Sequence, residues 1–382
     1  STDSTDPNPT YTYTQPGQYD VRLTVRSRKN NLDGVAVTTI TAGNTRPVVT
    51  IKSPANGGLF DWGDTIPFEV QVTDREDGRI DCTKVVVQSQ LGHDLHLHPM
   101  DNLTGCTGEF KTDAGSSHGP GQNLYVAMAV QYADGGGPRG VPSLTGSAHL
   151  VLEPKRKEAE HHEGIGGAQG GPVVVANSAA SAGNRLGEIE HGDWVAYDPL
   201  NLNKIPSVTV GVSSGGLGGR IEFRADSPTG QLLGSVTVAN TGGWNNVISP
   251  TVQLTNPGRT VKLYAVFTNP AWNPSQADLL SLDWLQFNGE GVTKPGTTAG
   301  IALTANPATG AAPLNVSFGS SVTPPQGRTI TGYSWDFGDN AAAGTGASTT
   351  HQYTRKGTYT ARLTTTDNTG AHSSNTVSVT VS

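Results

Sequence analysis

One stretch of this chain occurs twice. Tyr13-Thr14-x-x-Gly17-x-Tyr19-x-x-Arg22-Leu23-Thr24 returns as Tyr353-Thr354-x-x-Gly357-x-Tyr359-x-x-Arg362-Leu363-Thr364, every position displaced by 340 residues. Each copy reads as a turn followed by an alternating strand, with Tyr359, Ala361 and Leu363 on one face, then a second turn and another strand. Three further strands precede the second copy, in ALTANP, LNVSF and TGYSWDFGD. The first copy lacks them. Residues 1–43 therefore read as the second half of a module that residues 297–382 present whole.

Composition extends that reading to the rest of the chain. With 49 glycines and 24 prolines among 382 residues, and only 15% charged residues, the chain is poor material for coiled coils or helical bundles. Many short strands joined by Gly/Pro turns fit it, so the expected class is all-β, a multidomain string of β-sandwiches. The length allows two to four such units. No apolar run approaches the 18 or so residues that span a bilayer, so no membrane partner is expected. A formal net charge of −7, with Lys155-Arg156-Lys157 as the only run of three basic residues, argues against a nucleic-acid partner, which would need clustered cations. Two cysteines, Cys82 and Cys106, lie 24 apart. They are expected to form one disulfide in a secreted, extracellular protein, worth roughly 3 kcal/mol in the chain-entropy picture. Two reduced structural cysteines are the alternative.

Trp335-Asp336-Phe337-Gly338-Asp339, followed by His351-x-Tyr353 and Gly357-Thr358-Tyr359, resembles a PKD domain over residues 297–382, and residues 1–43 resemble part of one. The resemblance implies a seven-strand sandwich acting as a spacer in secreted bacterial enzymes. Trp335 and Phe337 alternate inward, while Asp336 and Asp339 can accept bonds from turn amides.

Residues 46–154 open with TRPVVTIKSP and continue with strands near 66–73, 83–90, 122–132 and 146–152. They read as an Ig-like or cadherin-like sandwich carrying the disulfide. Asp74, Glu76 and Asp77 crowd three carboxylates into one turn, either solvated or cation-bound. In LGHDLHLHP, an extended chain puts Asp94, His96 and His98 on one face and His93 on the other. Two imidazoles and a carboxylate at that spacing are a candidate transition-metal set. Surface histidines bonded to one another are the alternative.

Residues 155–290 hold four of the six tryptophans, with strands readable at 194–198, 206–213, 219–225, 232–238, 259–268 and 280–287. The pattern is a jelly-roll-like sandwich. Glu158-Ala159-Glu160, Gly192-Asp193-Trp194, Gly218-Gly219-Arg220-Ile221-Glu222, Ser227-Pro228-Thr229-Gly230, Thr241-Gly242-Gly243-Trp244 and Leu282-Asp283-Trp284 together resemble a family 6 carbohydrate-binding module. A pyranose offers an apolar C–H face and an equator of hydroxyls, so binding it takes an exposed aromatic platform with a few polar groups. Against the family pattern, Glu188 and Val247 stand where two aromatics usually stack, and Ser281 where an Asn usually stands. The carbohydrate-binding candidates are therefore Trp272, Glu188, Asn269, Asn273 and Ser281, with Trp272 covering the sandwich edge as the alternative. Trp194, Trp244 and Trp284 read as core. The resemblance also implies a structural calcium site of Glu158, Glu160 and Asp283, with a backbone carbonyl from Arg185. Three carboxylates buried together are costly without a cation.

No G-x-S-x-G, H-E-x-x-H, P-loop or dinucleotide fingerprint occurs, and no pair of carboxylates can be placed across a cleft. The expectation is a non-catalytic, monomeric carbohydrate-binding and spacer region whose partner is a polysaccharide or oligosaccharide. The module order resembles secreted actinobacterial carbohydrate-active enzymes, which implies a glycoside hydrolase or a pyrroloquinoline-quinone-type sugar dehydrogenase domain upstream of Ser1. A purely structural or adhesive array, and a metal-dependent domain at 46–154, are the alternatives.

Overall fold

The computed structural model describes residues 3–93, 96–113, 118–119, 121–168, 170–276, 278–296 and 298–382. Period-two burial builds the strands. In Thr65–Thr73, Ile66, Phe68, Val70 and Val72 point inward, and in Leu124–Ala133, Leu124, Val126, Met128, Val130 and Tyr132 do so. All of those except Leu124, with Phe60, Val87 and Leu152, close the core of the sandwich at 46–154. A second core lies between the two sheets of the jelly roll, around Tyr197, Val210, Phe223, Phe267, Leu282 and Phe287. A third packs Trp335 and Phe337 against Phe318, Tyr353, Tyr359 and Leu363.

The sandwiches abut more closely than the sequence indicates. The short strand Gly58–Phe60 pairs in parallel with Thr145–Pro154, through Leu152 and Gly58, and with Trp194–Asn201, through Asn201 and Gly58. One sheet therefore runs from Leu232–Val238 in the jelly roll, through that strand, to His96–Thr104 at the far edge of the disulfide sandwich. The C-terminal sandwich is bonded on as well. The Thr360 N–H donates to Ser249 Oγ at 2.7 Å, and the Ser249 N–H to the Thr358 carbonyl at 3.0 Å. Asp61 meets Lys155 at 3.0 Å and Arg362 at 3.1 Å, so its carboxylate joins the segment entering the jelly roll to the C-terminal sandwich.

The repeat is visible as two hairpins with equivalent register. Tyr19 pairs with Ile40 in the first, and Tyr359 with Val379 in the second. Their surroundings differ. Leu363 is fully buried, whereas its counterpart Leu23 is 59% exposed, and Val21, Val25 and Val37 lie open beside it. Among the described residues no second sheet covers the first hairpin.

Cys82 and Cys106 are bonded, with Cα atoms 5.1 Å apart. The bridge closes the base of the hairpin made by Val86–His93 and His96–Thr104, where Val86 faces Thr104. Removing it through Cys82→Ser with Cys106→Ser is expected to cost about 3 kcal/mol, because the unfolded chain regains a loop of that length. Denaturant midpoints of the two proteins check this. An unchanged midpoint would mean the core around Val87 and Met128 holds the sandwich without the bridge.

Candidate functional site

Three loops meet at one end of the jelly roll. The Leu279 N–H donates to the Ile189 carbonyl at 2.8 Å, the Gly218 N–H to the Leu279 carbonyl at 3.0 Å, and the Asn269 N–H to His191 Nδ1 at 2.9 Å. Residues 188–193, 215–218 and 269–279 are thereby tied into one rim. Glu188 is exposed on it with φ of +52°, a left-handed conformation that few non-glycine residues adopt. Burial and the neighbouring Glu188 charge hold the Asp278 carboxyl above the usual range. Burial, with Asp193, Asp278 and Glu188, does the same for Glu190. The rim is acidic and rich in hydrogen-bond acceptors.

Its aromatics differ from the sequence reading. Trp244 is half-buried at the rim rather than sunk in the core, its indole lying against Gly215 and Gly216. A Cβ on Gly215 would stand 2.7 Å from Trp244 Nε1, so the ring fits there only above glycine. The glycine pair in SSGG was the available signal, but it reads equally well as a plain turn. Trp272 is also half-buried, packs against the jelly-roll core, and has its Nε1 enclosed without a bonding partner. Asn269 is engaged by its own loop, donating from Nδ2 to the Gly218 carbonyl at 3.0 Å and accepting from the Ala271 N–H at 3.0 Å. Asn273 is exposed and accepts from Ser275 Oγ at 2.5 Å. Ser281 corrects the sequence expectation: it is 4% exposed, beneath Gly187, and offers a sugar no accessible hydroxyl. Val247 is likewise buried, so neither it nor Glu188 supplies a stacking ring.

The acidic residues expected at a cation site lie on the outer face of the opposite sheet, but their carboxylate oxygens are not all within 4.8 Å of one another. Asp283 is the extra residue of a bulge, since Leu282 pairs with Val212 and Trp284 with Gly211. The Ser181 N–H donates to both Asp283 oxygens at 3.2 and 3.3 Å, and Ser181 Oγ donates to Glu158. Asn340 of the C-terminal sandwich donates to Asp283 Oδ2 at 2.6 Å. Glu158 also meets Arg156 Nε at 3.1 Å. Both oxygens of Glu160 are buried with no hydrogen-bond partner. Burial, with Glu158 and Asp283 nearby, pushes the Glu160 carboxyl up to about 7. Burial, opposed by the Asn340 bond and helped by Glu158, lifts Asp283 to about 6. Arg185 enters through its side chain. Its buried guanidinium donates to the Trp244 carbonyl at 2.5 Å and adds charge near Asp283, while Nε has no partner. Unpartnered carboxylate oxygens held above their normal range suit a hard cation.

The other acidic turn is bonded except at Asp74 Oδ2, which is buried with no hydrogen-bond partner. Asp74 Oδ1 accepts from the Glu76 and Asp77 N–H groups at 2.8 and 2.7 Å, Glu76 binds Thr45, and Asp77 binds Tyr132 and Gly135.

The histidine set is corrected. His93 pairs directly across from His96, so the two stand on facing strands and not on one continuing strand. His93 therefore shares the face of His96 and His98 instead of opposing it. Asp94 lies outside the described residues. Among the described residues, the one group of three histidine, cysteine or acidic side chains with ligand atoms all within 4.8 Å of each other is His93, His96 and His98.

Comparison with known families follows this geometry. The family model described as carbohydrate binding module (family 6) matches residues 158–289, and the PKD domain model matches residues 298–381. These two segments of the chain are a family 6 carbohydrate-binding module and a PKD domain. The chain is 31% identical over 132 residues to an arabinoxylan arabinofuranohydrolase of Paenibacillus polymyxa, covering 33% of this chain and 19% of that protein. It is 31% identical over 101 residues to an endo-1,4-β-xylanase A of Thermoclostridium stercorarium, covering 26% of this chain and 15% of that one. The chain thus spans under a fifth of the length of either relative. A solved β-1,3-glucan binding module of the same family from Bacillus halodurans is 35% identical, covering 35% of this chain and 95% of that one, with a TM-score of 0.31.

Proposed function

We propose that the chain is a non-catalytic accessory region of a secreted carbohydrate-active enzyme, in which residues 158–289 bind a polysaccharide or oligosaccharide at the loop rim. The observation that carries this reading is the rim itself, on a segment matched by the family 6 model: half-buried Trp244 and Trp272 beside exposed Glu188 and Asn273. An aromatic face supplies stacking area and the carboxylates accept from hydroxyls. The C-terminal sandwich supplies spacing. The region acts as a monomer and needs neither nucleic acid nor membrane, and the catalytic step belongs to a glycoside hydrolase or sugar dehydrogenase domain of the same protein. Calcium is the cation that Glu158, Glu160, Asp283 and Arg185 would hold, neutralising carboxylates between the module and its C-terminal neighbour.

With Glu188 and Val247 in place of two rings, affinity for xylan and cellulose should fall at least tenfold below that of a module with both, since each stacked ring contributes on the order of 1 kcal/mol beyond its area. A glycan-array screen of the full chain tests the reading. Signal is expected on at least one polysaccharide, with plain xylan and cellulose weak. Tight binding to plain xylan would contradict the assignment of Glu188 and Val247, and a blank array would favour a purely structural role.

A further inference from the structure

The tip of the disulfide-closed hairpin gathers more imidazoles than the sequence spacing indicates. His93 ends the strand Val86–His93, and His96 and His98 begin the strand His96–Thr104. Cross-strand pairing of His93 with His96, and of Leu91 with His98, puts the three rings on one face. The His93 ring centre lies 4.1 Å from that of His96 and 5.0 Å from that of His98. The two Nε2 atoms of His93 and His98 are 2.9 Å apart. A fourth ring comes from a different part of the chain: His118, between the strands Thr107–Lys111 and Leu124–Ala133, lies 4.8 Å from His93 and 5.7 Å from His98.

Four imidazoles converging from three chain segments are a costly arrangement if protonated, because like charges at these distances repel. As neutral rings, each carries one donor and one acceptor, and the acceptor nitrogen is a ligand for borderline divalent metals. The 2.9 Å separation is a hydrogen bond between the two rings, and an opening to about 3.3 Å would give the spacing of two tetrahedral ligands on one ion at bonds of about 2.0–2.1 Å. The fold also holds the set in place. The Cys82–Cys106 bridge clamps the hairpin base, and buried Leu91 pairs directly across from His98. His98 and His118 additionally line a cavity of about 770 Å³ with Asp101, Lys111, Asp113 and His372, so an ion held there would stand at its wall.

We propose that His93, His96 and His98, with the His118 ring beside them, bind one divalent first-row transition-metal ion, separate from the jelly-roll carboxylates and from the sugar-binding rim. The ligand set is all imidazole, which suits Zn²⁺, Cu²⁺ and Ni²⁺ and disfavours Ca²⁺ and Mg²⁺, whose ligands are oxygens.

Titration calorimetry of the metal-stripped full chain with Zn²⁺ tests the site, with Cu²⁺, Ni²⁺ and Ca²⁺ in parallel. One equivalent of Zn²⁺ is expected, and the double variant His96→Ala, His98→Ala should weaken it at least a hundredfold. The exposed His149→Ala, on another strand, should leave it unchanged. Thermal unfolding of the metal-free double variant should match that of the metal-free wild type, which separates loss of ligands from loss of fold. Co²⁺ loading should give the visible absorption of a four-coordinate nitrogen site. Absence of a stoichiometric Zn²⁺ heat, equal affinity in the double variant, or displacement of Zn²⁺ by excess Ca²⁺ would each overturn the proposal.

Discussion

Asp61→Ala is expected to destabilise the protein by about 3–5 kcal/mol, the usual cost of leaving buried charges without their partner. Lys155 is buried, Arg362 nearly so, and both direct their charge at this one carboxylate. Burial alone would raise the Asp61 pKa, but Lys155 and Arg362 overcome it and pull it down to about 2. A carboxyl lowered in the folded state contributes stability above its unfolded value near 4, and that contribution is lost as pH falls through about 2. Asp64 works in the opposite sense. Burial and the Asp61 charge hold it at about 6, so its contribution declines as pH rises from about 4 to 6. Denaturant melts of wild type and variant between pH 2 and 7 check both statements. The gap between the two proteins should narrow as pH approaches 2. A gap that stays constant down to pH 2 would show that Asp61 acts through packing rather than charge.

A chelator acting on the proposed calcium site should give the second large effect. A ligand that binds only the folded state stabilises by about 2.7 kcal/mol at a hundred times its Kd, which corresponds to a shift on the order of 5–10 °C for a domain of this size. Chelator is therefore expected to lower the unfolding temperature of the transition that contains the jelly roll, and added Ca²⁺ to restore it. Asp283→Asn should unfold at the same temperature with and without chelator. The Asn340 contact to Asp283 Oδ2 predicts that the C-terminal sandwich will feel the loss as well. Identical melting curves in chelator and in Ca²⁺ would remove the metal from the account, leaving Glu160 as an unpaired buried acid.

Strands with clean alternation were legible. The readings 219–225 and 232–238 coincide with Gly219–Ala225 and Leu232–Val238, because Ile221, Phe223, Leu233 and Val238 face a single core. The short strand Gly58–Phe60 was not legible. Three residues carry no periodicity, and its role depends on partners about a hundred or more residues away. The closeness of the sandwiches escaped for the same reason, as Ser249, Thr360 and Asp61 look like ordinary polar residues until their partners are placed. At the candidate sites, Glu158, Glu160 and Asp283 were singled out because two motifs name them, and Glu158 lies across from Trp284, next to Asp283. His93 was put on the wrong face, since a period-two reading of 91–99 holds only if the chain runs straight, and His93 and His96 stand on facing strands. His118 stands alone in sequence, where nothing marks it as a neighbour of three other rings. Ser281 was misplaced because alignment to a motif fixes position along the chain and says nothing about what lies above it.

The central claim is that sugar binds at the rim through an aromatic other than the usual pair. Titration calorimetry with the best array glycan, comparing the wild-type chain with Trp272→Ala, tests it most directly. Trp272 also packs on the core, so circular dichroism must first show that the variant is folded. The expected result is a loss of affinity of at least tenfold in Trp272→Ala, the size a stacked ring on a sugar face provides together with its buried area. Undiminished affinity in the folded variant would contradict the account and place the ligand elsewhere on the jelly roll.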